Sequence, residues 1–111
     1  MINDVVLIGS DVLGSPDKQL GIILMGNFLR LMGDRDKLPS HVILWNGGVM
    51  LASEDSSSLE YLKILQDRGV EIIICRTCVE YFGLENKIAV GEIDGMVRIL
   101  DILTQHNVLT V

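Results

Sequence analysis

The sequence predicts an α/β fold: three layers, α/β/α, around a parallel sheet of five strands. Two observations carry this. Short, β-branched apolar runs alternate along the chain with segments of helical periodicity, the order β-α-β-α-β-α-β-α-β. The runs are apolar at consecutive positions rather than at alternate ones, the mark of strands covered on both faces. Hydrophobic residues make up 49% of the 111 and mean hydropathy is +0.41. That is enough for one domain with its own core.

Each element has a local reason. Val5-Val6-Leu7-Ile8 is a buried strand ending in Gly9-Ser10-Asp11. Ser15 then offers an N-cap and Pro16 a first helical position. In the helix that follows, Leu20, Leu24 and Phe28 recur every fourth residue with Met25, Leu29 and Met32 alongside, and Gly33 reads as the C-cap. His41-Val42-Ile43-Leu44-Trp45 is the second strand and ends in Asn46-Gly47-Gly48. Ser57-Ser58-Leu59-Glu60 fits a capping box before a helix carrying Leu59, Leu62 and Leu65, which Gly69 ends. Residues 70–74 form strand three. Thr77-Cys78-Val79-Glu80 repeats the capping pattern and opens a short third helix, stopped by Gly83. Lys87-Ile88-Ala89-Val90 is read as strand four. Asp94 caps a last helix with Met96, Ile99, Leu100 and Leu103 on one side, and Val108-Leu109-Thr110-Val111 is the final strand. Residues 1–111 are thus used as a single domain without a linker.

Charge and length exclude several classes. The net charge of −6, with no run of Lys or Arg, argues against binding nucleic acid through phosphates. No apolar segment approaches a membrane span. The opening Met1-Ile2-Asn3-Asp4 has no basic, cleavable leader pattern. The expectation is a cytoplasmic protein with no membrane partner. In such a reducing compartment a CxxC is more often catalytic, redox-active or metal-binding than a structural staple.

Cys75-Arg76-Thr77-Cys78 holds the chain's two cysteines. It stands at the carboxyl end of a strand and the start of a helix, where parallel sheets place their chemistry. With Thr77 as N-cap, Cys78 takes the first helical position, where the helix end and Arg76 favour a thiolate. Cys78 is therefore preferred as nucleophile over Cys75, which sits at the strand end and is the more buried of the two. Three other readings compete. A thioredoxin-like oxidoreductase needs a cis-proline after the motif, whereas Pro16 and Pro39 both precede it. A zinc site needs four ligands, and His41 and His106 lack finger-like spacing. Finally, cysteine is a small hydrophobe that cores often bury, a reading that suits Cys75 better than Cys78.

Two other loops share that edge of the sheet. Ser10 and Asp11 offer a hydroxyl, a carboxylate and free amides. Asn46 and Gly47, followed by Gly48, offer a side-chain amide and close backbone approach for an anion or a persulfide, with Thr77 beside them. Plain turn and cap roles fit Ser10, Asp11 and Asn46 at least as well. Neither loop is a Walker A or a GxGxxG, so no nucleotide and no other cofactor is expected. Met25, Met32 and Met96 read as core filler. Trp45, at a strand end, reads as packing or a subunit contact more than as a substrate contact.

Several of these segments, in this order, resemble the DsrE-like sulfurtransferase superfamily, and most closely the carboxy-terminal domain of the YedF-type selenium-metabolism proteins. They are the opening strand through Asp11, Leu13-Gly14, Leu20-Gly21 with Leu24-Met25 and Phe28-Leu29, Leu38-Pro39, Trp45-Asn46-Gly47-Gly48-Val49, Gly69-Val70-Glu71-Ile72 and Cys75-Arg76-Thr77-Cys78. The resemblance implies a five-strand α/β/α fold, homo-oligomers such as trimers or hexamers, and a cysteine that carries sulfur as a persulfide. The second cysteine of the family's Cys-Gly-Thr-Cys aligns with Cys78, and Arg76 replaces the glycine. The YedF-type proteins also carry a TusA-like domain, absent here. Two functions follow as expectations. One is a sulfur relay in which Cys78 takes sulfane sulfur from a donor protein and passes it to an acceptor protein, TusA-like proteins being candidates for these partners, with Cys75 resolving the persulfide or merely structural. The other is a non-catalytic oligomeric scaffold subunit.

Overall fold

A computed structural model describes residues 4–111; Met1 to Asn3, on which the leader reading partly rests, lie outside the described residues. Five strands form one sheet: β1 (Val5–Ile8), β2 (His41–Leu44), β3 (Glu71–Cys75), β4 (Glu92–Asp94) and β5 (Val108–Thr110). Their order is β4-β3-β2-β1-β5, and every pairing is parallel. Val6 sits between Val42 and Leu109, and Ile43 between Leu7 and Ile73. Four helices connect the strands: α1 (Lys18–Gly33), α2 (Leu59–Asp67), α3 (Arg76–Tyr81) and α4 (Met96–Gln105). The chain steps from β1 to β4 in one direction and then returns past β1 to β5. With right-handed crossovers, that reversal sends α4 to the face opposite α1 and α2. The α/β architecture anticipated above is the one observed.

The core is the sheet itself. Val5, Ile8, Val42, Ile43, Leu44 and Ile74 are completely covered, as the unbroken apolar runs require. Ile43→Ala is expected to cost about 2–5 kcal/mol, because the cavity it opens lies between two other covered strands. Urea denaturation with an unchanged slope checks this.

Several local readings are corrected. Asp17, not Ser15, is the N-cap of α1, its carboxylate accepting from the Leu20 amide at 2.9 Å; Pro16 therefore precedes the helix. An acidic cap next to the positive helix end outcompetes the earlier serine. On α1 the covered residues are Met25, Leu29 and Met32, with Gly21 and Gly33, while Leu20 and Leu24 face outward. Two apolar stripes are present, and only one meets the sheet. At α2, Ser58 is the N-cap but makes no side-chain cap bond; its backbone amide bonds to Ser56 Oγ, at 3.1 Å.

Strand four lies later than the apolar pattern suggests. Residues 87–90 bond instead to the stretch after β2: the Ala89 amide donates to the Ala52 carbonyl and the Glu54 amide to that of Lys87. Ile88 forms an antiparallel bridge with Ser53. Gly91, at φ 80°, then redirects the chain so that Glu92–Asp94 pairs with Ile73 to Cys75. A β-carbon there would lie 2.7 Å from the Ile72 carbonyl oxygen. Asp94 thus ends β4 and Gly95 caps α4. The Asp94 carboxylate, which accepts from the Gly95 amide at 2.7 Å and from Arg98 at 3.1 Å, is held below the usual carboxylate range by these two donors.

Candidate functional site

At the carboxyl edge of the sheet β2 does not run straight into a loop. Its end turns through Asn46, whose φ of 49° is left-handed, a conformation asparagine tolerates better than most residues. The chain then winds as a 3₁₀ helix over Asn46–Ala52. Gly48 makes this possible: its backbone presses so tightly on the carbonyl of Ile8 that a β-carbon would come within 2.2 Å of the oxygen. The turn is thereby clamped onto the end of β1, and the Asn46 amide is left facing the neighbouring strand end.

What it faces is Cys78. The Asn46 N–H donates to Cys78 Sγ at 3.1 Å, and the Cys78 thiol donates to Cys75 Sγ at 3.0 Å. Both cysteines are free thiols; Cys75 is 3% exposed and Cys78 is half-buried. The pair lines a cavity of about 360 Å³ together with Trp45, Asn46, Thr77, Tyr81, Phe82 and Met96. That volume is within the range of small-ligand pockets. Among the described residues, no side chain that carries charge at neutral pH lines it. The guanidinium of Arg76 turns away and donates to the Ile93 carbonyl at 3.3 Å.

The helix start differs from expectation. Cys75 is the N-cap of α3 and makes no side-chain cap bond, so Arg76 opens the helix and Cys78 is its third residue. Thr77 is inside the helix and lines the cavity without capping it. The thiolate-favouring environment read from the sequence is also reversed. Desolvation pushes the Cys78 thiol above its ordinary range, and the hydrogen bond and charge of Cys75 add to this. The amides of Asn46 and of Cys78 itself pull the other way and do not prevail. A helix of six residues has little dipole to set against burial.

The other candidate residues separate. Asn46 and Thr77 stand at the thiols. Gly47 packs on the first loop, where a β-carbon would lie 3.6 Å from Ser10 Cα. Ser10 accepts from the Val12 amide at 3.2 Å, a turn contact. Asp11 borders a different hollow, beside Ser53, Asp55 and Ser58. Reading the sequence missed Tyr81 and Phe82 and misassigned Met96, which is 50% exposed and borders the thiols. A signal existed: of five aromatic residues in the chain, two lie within four residues after the CxxC, Tyr81 ending its helix and Phe82 capping it.

A family model described as DsrE/DsrF-like matches residues 19–111. The chain belongs to the DsrE/DsrF-like family. Solved structures agree on the fold. The ychN protein from E. coli superposes with a TM-score of 0.70 at 19% identity, covering 99% of this chain and 100% of that one. A protein of unknown function from Methanobacterium thermoautotrophicum, MTH1491, gives 0.69 at 20% identity over 96% of each chain. A third, BT1422 from Bacteroides thetaiotaomicron, also of unknown function, gives 0.64 at 18%, covering 97% and 95%. No curated protein matches the chain in sequence. In this DsrE/DsrF-like fold the thiol pair occupies the carboxyl edge of the central strands, where open parallel sheets bind their ligands. Among the described residues no helix is long and apolar enough to cross a membrane.

Proposed function

We propose that this DsrE/DsrF-like protein is a sulfur-relay protein that carries sulfane sulfur as a persulfide on Cys78. The observation that carries the reading is the setting of one sulfur atom: Cys78 Sγ opens on an apolar cavity with a backbone N–H aimed at it from 3.1 Å. Family membership supports sulfur handling. The resemblance of the Trp45–Val49 and Cys75–Cys78 segments to the YedF-type proteins supports Cys78 as carrier and suggests a selenium-linked context.

In the loading step the Cys78 thiolate attacks the outer sulfur of a donor persulfide. A bond forms from Cys78 Sγ to that sulfur as the donor's S–S bond breaks, and the donor leaves as a thiolate that takes up the proton. Delivery is the same displacement in reverse sense: an acceptor thiolate attacks the outer sulfur and Cys78 leaves. The Asn46 amide holds negative charge on Sγ in both steps. With no cation among the lining residues, a neutral organic hydropersulfide suits the cavity better than the thiosulfate dianion. The partners are donor and acceptor proteins, the acceptor TusA-like. A homo-oligomer, trimer or hexamer, covers apolar side chains such as Leu20, Ile23 and Val97, which are 52%, 60% and 81% exposed in the single chain.

Intact-mass measurement after incubation with a small hydropersulfide tests this. At the earliest times after mixing, wild type and Cys75→Ser are each expected to have gained one sulfur atom, and Cys78→Ser none. Uptake by Cys78→Ser at the wild-type level overturns the assignment. One observation favours the scaffold reading instead: the Cys78 thiol is held above its ordinary range rather than below it. A scaffold subunit takes up no sulfur from any donor yet still assembles, so the same mass measurement separates the two.

A further inference from the structure

We infer that the buried Cys75 is a resolving thiol, which discharges the Cys78 persulfide as sulfide and leaves a Cys75–Cys78 disulfide. This rests on the reading of Cys78 as the sulfur carrier. The geometry supplies the rest. The two Sγ atoms are 3.0 Å apart, inside the distance at which reacting atoms are poised for displacement. Cys75 is 3% exposed, so a bulky donor meets Cys78 first, and the Cys78 sulfur is the hydrogen-bond partner of the Cys75 sulfur. Both thiols are free, and among the described residues the only side-chain hydrogen bond made by the Cys75 sulfur is the one from Cys78.

The positions on α3 favour closure. Cys75 is the N-cap and Cys78 the third helical residue, so both side chains project from a single turn. Forming a bond of about 2.0 Å needs side-chain rotation and a small backbone adjustment. The exposure order is the useful one: the outer thiol collects sulfur and the inner one, shielded from solvent, resolves it. The surrounding apolar walls, Trp45, Phe82 and Met96 among them, limit water and competing small thiols during the step.

The step balances without a further reagent. Cys75, as thiolate, attacks the inner sulfur of the Cys78 persulfide. The Cys75 Sγ–Cys78 Sγ bond forms, the bond from Cys78 Sγ to the outer sulfur breaks, and that sulfur leaves as hydrosulfide, which takes up the proton Cys75 gave up and becomes hydrogen sulfide. Cys75 is oxidised by the sulfane sulfur, which is reduced to sulfide. Return to the dithiol takes two electrons from a small or protein dithiol. An acceptor at the cavity mouth competes with Cys75 for the same persulfide. The site therefore has two exits: delivery when an acceptor is docked, sulfide release when none is.

Single-turnover loading separates these exits. Reduced protein is treated with one equivalent of a small alkyl hydropersulfide without charged substituents, desalted, and followed by intact mass and by sulfide trapping. In wild type the adduct of one sulfur atom is expected to decay to a species two hydrogens lighter than the reduced protein, with sulfide released in equal amount. In Cys75→Ser the adduct is expected to last about tenfold longer or more, with no sulfide. Equal adduct lifetimes in the two proteins, or sulfide without a disulfide, overturn the inference and leave the carrier reading standing. No sulfur uptake in wild type overturns the carrier reading and this step with it. If Cys75→Ser fails to fold, Cys75→Ala takes its place, and peptide mapping of diamide-treated wild type gives a second readout. Failure to find the Cys75–Cys78 disulfide there also overturns the inference.

Discussion

Gly48→Ala is expected to lower stability by roughly 3 kcal/mol and to displace the Asn46 amide from Cys78. The added methyl would sit 2.2 Å from the Ile8 carbonyl oxygen and 3.0 Å from its carbon. Both are backbone atoms at the end of a strand paired on both sides, so neither can swing away as a side-chain tip would. Relief has to come from lifting the 3₁₀ segment off β1, which carries Asn46 with it. For a chain of this size the loss corresponds to a fall in Tm of roughly 10–20 °C. Gly47→Ala is the control. Its β-carbon meets nothing nearer than 3.6 Å, so its change should stay within about 1 kcal/mol. Thermal unfolding followed by circular dichroism reads both. A Gly48→Ala protein that melts with wild type would remove the clamp from the account of the site.

Alkylation of Cys78 by iodoacetamide should keep accelerating at pH values where an ordinary thiol has reached its plateau. The reagent reacts with the thiolate, and burial together with Cys75 holds the proton on Cys78. In Cys75→Ala two of the causes disappear, the hydrogen bond to the Cys75 sulfur and the like-charge repulsion, and the profile should move to lower pH. Gly48→Ala should move it to higher pH, because the Asn46 amide that favours the thiolate is displaced. Stability follows the same sign. The fold favours the neutral thiol, so that contribution is complete below the range where the unfolded thiol titrates. It is lost as pH rises through the raised folded value. A wild-type profile with its midpoint below that of a free cysteine peptide contradicts this account and returns Cys78 to the activated thiolate expected from the sequence.

The strands β1, β2, β3 and β5 could be read within about a residue of their bounds, because each is a continuous apolar run whose burial needs no partner to be guessed. β4 could not. Residues 87–90 carry the stronger apolar pattern, yet their backbone groups are taken by the Ala52 and Glu54 region. The polar Glu92–Asp94 segment forms the strand instead, at an edge where one face tolerates carboxylates held by Arg98. The α1 stripe misled for a related reason: Leu20 and Leu24 share the periodicity of the covered residues and nothing local distinguishes them.

The site divides along the same line. Cys78 as the accessible thiol, Cys75 as the buried one, and the approach of Asn46 follow from where a CxxC and a glycine-rich turn fall on parallel strand ends, since those ends share one edge. Asp11 is separated from the thiols and Ser10 is spent on a turn bond, because neighbouring loops diverge once they leave the sheet. The sign of the Cys78 proton affinity was out of reach. It depends on a sulfur–sulfur approach of 3.0 Å and on a cavity walled by Trp45, Tyr81, Phe82 and Met96.

Composition and short-range pattern sufficed for the parallel five-strand sheet, its layers and the edge that carries the two thiols. These follow from periodicity and from which runs must escape water, properties of neighbouring residues along the chain. The partner of each backbone group after β3, the outward stripe of α1 and the protonation of Cys78 came from contacts between distant segments. Desolvation and close approach are set by what surrounds an atom in three dimensions, and a one-dimensional pattern does not contain that.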